Sequence, residues 1–215
     1  ITGASGLYGS KLAQMALTKN YEVYSSDIQE LSVYGNFVKL DISGKAQVDE
    51  AFKTIKPDVV VHAATLTDVD KCELNKTLAW KVNVEGTKNI VEAAKATGSF
   101  LIYISTDYVF GGETGRYKET DAPNPINYYG VTKLKAEEIV KTQKEYFIAR
   151  PSVMYGSTPA AGKVNFALWI IENLRKGEHV KIVTDQWNTP TLNTNLAEMT
   201  LEVIERKLTG IYHLC

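Results

Sequence analysis

Short runs in which nearly every residue is apolar or β-branched alternate along the chain with longer segments whose apolar residues recur at helical spacing. The strand-like runs are "YEVYSSD" (21–27), "FVKLD" (37–41), "DVVVHAA" (58–64), "FLIYIS" (100–105) and "YFIARP" (146–151). Between them the spacing predicts helices over Leu7–Lys19, Lys45–Ile55, Asn75–Ala96 and Asn127–Lys144. This alternation predicts βαβ units and an α/β fold with a doubly wound parallel sheet. Strands that are apolar throughout, rather than at every second residue, are expected where helices cover both faces. After Pro151 the rhythm loosens. "YGSTPAAGK" (155–163) reads as a loop, followed by a helix, a short strand "VKIV" (180–183), another helix and the strand-like "GIYHL".

At 215 residues the chain is one large domain, or one domain with an appendage. A formal net charge of −1 gives no global field toward nucleic acid or an anionic membrane, so neither partner is expected. No apolar run reaches membrane-spanning length. Cys72 and Cys215 form no disulfide framework, and neither has a second Cys or a His at metal-ligand spacing. His62, His179 and His213 are far apart, so no metal site is expected. A reducing, cytoplasmic setting fits. The chain opens on "ITGASG" without Met; if "IT" ends a first strand, about three to five strand residues precede it.

"TGASGLYG" places Gly3, Gly6 and Gly9 at a turn from strand to helix. Glycine permits the tight turn and lets the backbone approach a pyrophosphate, which would sit at the helix N-terminus formed by Ser5, Leu7 and Tyr8. The spacing is G-x-x-G-x-x-G, which a plain loop could also show. Asp27, at the end of the next strand, weighs against the plain loop. A carboxylate there can accept both ribose hydroxyls of NAD and would repel the 2′-phosphate of NADP, which favours NADH and leaves NADPH open. Asp41 and Ile42 in "LDIS" could hold an adenine edge, and Ala63, Ala64 and Thr65 in "HAAT" leave room for a dinucleotide. All of these fall beyond the carboxyl ends of strands, where open α/β sheets bind ligands. We therefore expect a dinucleotide-binding domain over residues 1–150. A partial substrate-binding region would follow over 151–215, with elements packing back on the first domain.

"FLIYISTDYVF" brings Ser105, Thr106 and Asp107 to the same rim, and "NYYGVTK" places Tyr129 and Lys133 one helical turn apart. With 12 Tyr in the chain, a Tyr-x-x-x-Lys match is expected roughly once by chance; the glycine turn and "STDYVF" give this one its meaning. A phenol of pKa about 10 is a poor acid–base catalyst at neutrality unless a cation stabilises its phenolate. Lys133, with an oxidised nicotinamide near it, would supply that field. Thr106 would hold a substrate oxygen while Tyr129 passes it a proton.

Through "TGASGLYG", "DI", "HAAT", "STDYVF", "YYGVTK" and "RPSVMYG", in that order, the chain resembles the extended short-chain dehydrogenase/reductases. Within them "TDVDKCE", "STDYVFGG", "YKETDAPNPINYYGVTKLKAEE", "NFA" and "DQWNTPT" resemble the dTDP-4-dehydrorhamnose reductases. The resemblance implies a Rossmann fold and a catalytic trio of Thr106, Tyr129 and Lys133, with Asn83 in "KVNVEGT" at the structural and proton-relay position. It also implies that Thr67 and Asp70 lie near the sugar, that Arg150–Ser152 lie near the nicotinamide, and that Asn165, Gln186 and Thr191 contact the nucleotide sugar. The implied reaction is reduction of the C4 ketone of a dTDP-6-deoxyhexulose to dTDP-L-rhamnose. Where many members carry Trp, "RPSVMYG" has Val153, which weakens the sugar assignment more than the reductase assignment.

Three other readings stand beside this one. A 4,6-dehydratase would need a carboxylate where Thr106-Asp107-Tyr108 has Tyr108. A nucleotide-sugar 4-epimerase uses the same trio. A non-catalytic regulatory subunit, resembling the methionine adenosyltransferase β-subunit, can keep the trio without using it. A homodimer is compatible with the sequence but is not read from it. Trp80 and Trp169 read as core, Trp187 as either a sugar flank or packing, and the charges of "KLKAEEIVKTQKE" as a solvated helix face.

Overall fold

Thr2 forms parallel bridges to both Ser26 and His62 and so joins two halves of one parallel sheet. The structure is a computed structural model that describes residues 1–31, 34–157 and 164–215. On one side of Thr2 lie β1 (Tyr24–Asp27) and β2 (Asn36–Lys39); on the other run β3 (Val59–His62), β4 (Phe100–Ile104), β5 (Tyr146–Arg150) and β8 (Gly210–His213), in that order and all parallel. A second, two-stranded ladder pairs β6 (Met154–Tyr155) with β7 (Thr191–Leu192). The sheet order reverses at Thr2, so the carboxyl ends of the strands on either side open a crevice there.

Helices cover both faces, as the continuous apolar strands require. α1 (Leu7–Thr18) and α8 (Asn193–Arg206) pack on one face, where Leu12, Ala13, Ile102, Phe147, Leu196 and Leu201 share a core. Tyr8 anchors the pair, its hydroxyl 2.8 Å from Thr200 Oγ1. α2 (Lys45–Ile55), α5 (Gly86–Thr97) and α6 (Tyr128–Val140) cover the other face around Val48, Ile90, Leu101 and Ile148. α8 and β8 are thus built into the main layers. β6, β7 and α7 (Phe166–Arg175) lie outside the sheet order just described.

Several expectations are corrected. The helix expected over Asn75–Ala96 is broken into α4 (Lys76–Trp80), a π-helical turn (Lys81–Glu85) and α5. The short α3 (Val69–Leu74), capped by Asp68 through the Lys71 amide, precedes them. Residues 180–183 form no strand. So short a run needs a partner; among the described residues none pairs with it, and Lys181, Ile182 and Val183 are exposed. The loop read over 155–163 lies outside the described residues from 158 onward. Trp80 and Trp169 are 36% and 38% exposed rather than core, and Trp187 is 88% exposed. α7 has no buried residue, so Trp169 stacks on Phe166 along its own helix, with ring centroids 5.9 Å apart.

Candidate active site

The glycine turn leaves no room for side chains. Gly3 has φ +69°, and a Cβ on it would stand 2.7 Å from the Ala64 amide nitrogen; a Cβ on Gly9 would strike the Gly3 carbonyl. α1 begins after Gly6, which offers no side-chain cap, so no side chain of the N-cap competes with an anion for its first amides. Only the backbone of Tyr8 can take part, because its ring is buried against α8, whereas Leu7 is half-buried. Asp27 caps the turn from the side: its Oδ2 accepts the Ser5 amide at 3.1 Å and its Oδ1 the Gln29 amide at 3.3 Å. Ser5 is fully buried and donates through Oγ to the Gln29 carbonyl.

Asp41 is exposed and its Oδ1 accepts the Ser43 amide. Ile42 is buried in the α2–α5 core, and its carbonyl accepts Asn89 Nδ2; its side chain is packing, and only its backbone could meet a ligand. Ala63 and Ala64 follow β3 and are held by Thr2, through its carbonyl and hydroxyl. These features form a cradle that any Cβ would fill, beside a helix N-terminus with no side-chain cap. That donor set fits a pyrophosphate-bearing dinucleotide.

The reactive side chains gather where β4 meets α6. Asn127 caps α6 by accepting the Gly130 amide, which fixes Tyr129 and Lys133 on its first turns. Both are buried, with Lys133 only 1% exposed. Thr106, two residues beyond β4, donates to Asp107 Oδ1 at 3.1 Å and accepts the Tyr108 amide. Asp107 Oδ2 in turn accepts the Ser152 hydroxyl at 2.6 Å, so the end of β4 is tied to the residues after β5.

Asn83 sits in the π-helical turn, as such turns often do at functional sites. Its Oδ1 accepts Thr65 Oγ1 and the Leu66 amide, and its Nδ2 donates to the Leu66 carbonyl and Thr132 Oγ1. It therefore links the segment after β3 to α6 beside Tyr129.

Burial, reinforced by the Asp107 carboxylate, pushes the Tyr129 phenol well up, while a hydrogen bond to the Thr106 side chain opposes the rise. Lys133 lies one turn along α6 from that phenol. Its Nζ donates to the Ile104 carbonyl at 2.7 Å, and burial lowers its pKa to about 7 against the pull of Glu137. The phenol loses more by its removal from water than these neighbours give back to the phenolate. It is held protonated, the form able to donate.

The model of the family described as "RmlD substrate binding domain" matches residues 1–215. The chain belongs to this family. It is a member of the dTDP-4-dehydrorhamnose reductase branch of the extended short-chain dehydrogenase/reductases, an oxidoreductase family built on a nicotinamide-dinucleotide fold. It is 33% identical over 222 residues to a dTDP-4-dehydrorhamnose reductase of Aggregatibacter actinomycetemcomitans, covering 99% of this chain and 71% of that one. A crystal structure of dTDP-4-dehydrorhamnose reductase from Bacillus anthracis in complex with NADP superposes with a TM-score of 0.89 at 35% identity, covering 99% of this chain and 72% of that one. The methionine adenosyltransferase 2 subunit beta of Xenopus tropicalis is 31% identical over 221 residues, covering 99% of this chain and 65% of that one.

Of the residues expected to meet the sugar, Asp107, Ser152 and Thr191 are linked by hydrogen bonds. Thr67 and Asp70 are exposed, Asp70 in the first turn of α3. Asn165 caps α7, accepting the Leu168 amide and donating to the Gly156 carbonyl. Gln186 is exposed outside any helix or strand. Thr191 is buried on β7, where its Oγ1 accepts the Ser152 amide and donates to the Leu214 carbonyl. Arg150 is engaged elsewhere through two of its three nitrogens. Its Nε and Nη2 pair with the two oxygens of Glu137 at 2.8 and 2.7 Å, and Glu137 Oε1 also accepts Ser105 Oγ. Glu137, expected on a solvated face, is therefore buried; the signal for it was its place one turn after Lys133, on the side of α6 that meets the sheet.

Proposed function

We propose that this chain carries out the reduction of the C4 ketone of a nucleotide-linked deoxysugar, dTDP-4-dehydrorhamnose, to dTDP-L-rhamnose, with NADH as the preferred reductant. The reading rests on one observation: the buried phenol of Tyr129 meets the Thr106 side chain just beyond β4. A ketone being reduced gains negative charge on its oxygen, and a protonated phenol is the group that can discharge it. Thr106, beside that phenol, would hold the ketone oxygen. The Asp107–Ser152 bond keeps Thr106 in place from the β5 side. Lys133 and Asn83 would fix the cofactor ribose and the proton path. The bound dinucleotide supplies the hydride; Gly3, Gly6, Gly9 and the first amides of α1 would hold its pyrophosphate, and Asp27 its adenosine ribose. Asp27 supports the NADH preference, since its carboxylate would repel a 2′-phosphate.

The test is an assay of the protein with dTDP-4-dehydrorhamnose and NADH or NADPH, followed by loss of reduced-nicotinamide absorbance. Turnover with NADH at the higher kcat/KM supports the whole reading, and a preference for NADPH removes its cofactor part. The likeness to a methionine adenosyltransferase subunit supports a second reading, a dinucleotide-binding regulatory subunit. Dinucleotide binding without turnover in that assay selects the second.

A further inference from the structure

Lys133 stands in an unusual place for an ammonium. It is buried, and its one hydrogen bond among the described residues goes to the Ile104 carbonyl. The carboxylate one turn along its helix, Glu137, is already paired through both oxygens with Arg150 and also accepts Ser105. On β3, His62 is neutral, its ring nitrogens meeting Thr2 and Thr87 and its pKa lowered to about 3 by burial and by Lys133. On α6, Tyr129 is protonated. Besides the pull of Glu137, the ammonium meets Tyr103 on β4, whose ring centroid lies 4.2 Å from Lys133 Nζ. The Tyr103 hydroxyl is buried without a partner of hydrogen-bond geometry; the nearby Thr87 hydroxyl already donates to the Asn83 carbonyl.

We propose that Tyr103 is a positioning residue that keeps Lys133 charged through the face of its ring. This inference rests on the reductase reading, in which Lys133 must carry charge beside the reacting groups. The negative face of an aromatic quadrupole attracts a cation, most strongly where water is excluded. The ring does this work and the hydroxyl does not, so Phe can replace Tyr and an aliphatic side chain cannot.

The experiment is an NMR titration of [ε-13C]lysine-labelled protein, the Lys133 signal being assigned by its loss in Lys133→Met. Tyr103→Phe should leave the pKa of Lys133 within a few tenths of a unit of its starting value. Tyr103→Leu should lower it by about one unit. Pentafluorophenylalanine at position 103 keeps the shape and inverts the quadrupole, so it gives the same drop without opening a cavity. Equal pKa values in the Phe and pentafluorophenylalanine proteins would overturn the proposal, as would a drop with Phe. The readout needs no turnover, so the proposal and the reductase reading fail separately.

Discussion

Arg150 grips Glu137 through two parallel hydrogen bonds of 2.8 and 2.7 Å between side chains that are 1% and 0% exposed. The pair bolts the end of β5 to the middle of α6, and Ser105 joins it from the end of β4. Arg150 stands over the Phe110 ring at 5.1 Å, yet its Nη1 is buried without a hydrogen-bond partner. Removing one member strands a charge in the core, so Glu137→Gln should cost about 3–5 kcal/mol. Glu137→Leu with Arg150→Met removes both charges and should recover most of that loss. Urea unfolding of the single and double variants decides it; equal losses would mean that no buried charge had been stranded.

Gly3 and Gly98 form a matched pair for the phosphate turn. Both have positive φ, +69° and +71°, but a Cβ on Gly98 meets nothing within 4 Å while one on Gly3 meets the Ala64 backbone. Gly98→Ala should cost about 1 kcal/mol, the conformational strain alone. Gly3→Ala should cost more and weaken dinucleotide binding at least about tenfold, because Ala64 must shift. Calorimetric titration with NADH and with NADPH, beside thermal melts of both variants, gives the comparison. Unchanged affinity in folded Gly3→Ala would show that the pyrophosphate lies elsewhere.

What the sequence disclosed follows from the range of the forces involved. The alternation of apolar runs with helical periods disclosed β3, β4 and β5 closely, because strands covered on both faces leave an uninterrupted apolar signature. The glycine turn was legible because Gly3 and Gly9 answer to local sterics. Glu137 was less so: Lys135 and Glu138 beside it are exposed, and its place one turn after Lys133 hints at burial, but the approach of Arg150 from β5 is what marks it as core. Trp169 and "VKIV" misled in the opposite direction, since apolar composition suggests burial and only the tertiary arrangement shows whether anything covers it. The electrical setting of Tyr129 was likewise beyond pattern. Tyr-x-x-x-Lys gives adjacency on one helix, whereas the rise of the phenol comes from burial and from Asp107, which a different strand brings in.

Asp107 should set the alkaline edge of activity. Its carboxylate raises the Tyr129 phenol, so Asp107→Asn favours the phenolate and lowers that pKa. Reduction needs the protonated phenol, and activity is lost as pH rises through the phenol's pKa. The alkaline limb of kcat/KM should therefore move to lower pH in Asp107→Asn. Tyr129→Phe should instead lower kcat by about 10²–10⁴-fold at every pH, with dinucleotide affinity kept. An alkaline limb unmoved by Asp107→Asn would detach that limb from Tyr129.

Lys133 should make the protein less stable in acid than its packing warrants. In the unfolded chain its amine holds a proton up to about 10.5, and in the folded protein burial lowers that value to about 7. Between the two the unfolded state binds more protons, so this group's contribution to stability rises with pH across that window. Below about pH 7 both states are protonated and the burial penalty is present in full. Lys133→Met keeps the length of the side chain and removes the charge. The variant should exceed the parent by a few kcal/mol near pH 6, and the gap should narrow steadily toward pH 10. Urea unfolding of both proteins across that range measures it; the variant gives up the hydrogen bond to the Ile104 carbonyl and the cation's contact with the Tyr103 ring. A gap that stays constant from pH 6 to 10 would mean the folded amine holds its proton throughout, and Lys133 would then be charged by something stronger than a ring face.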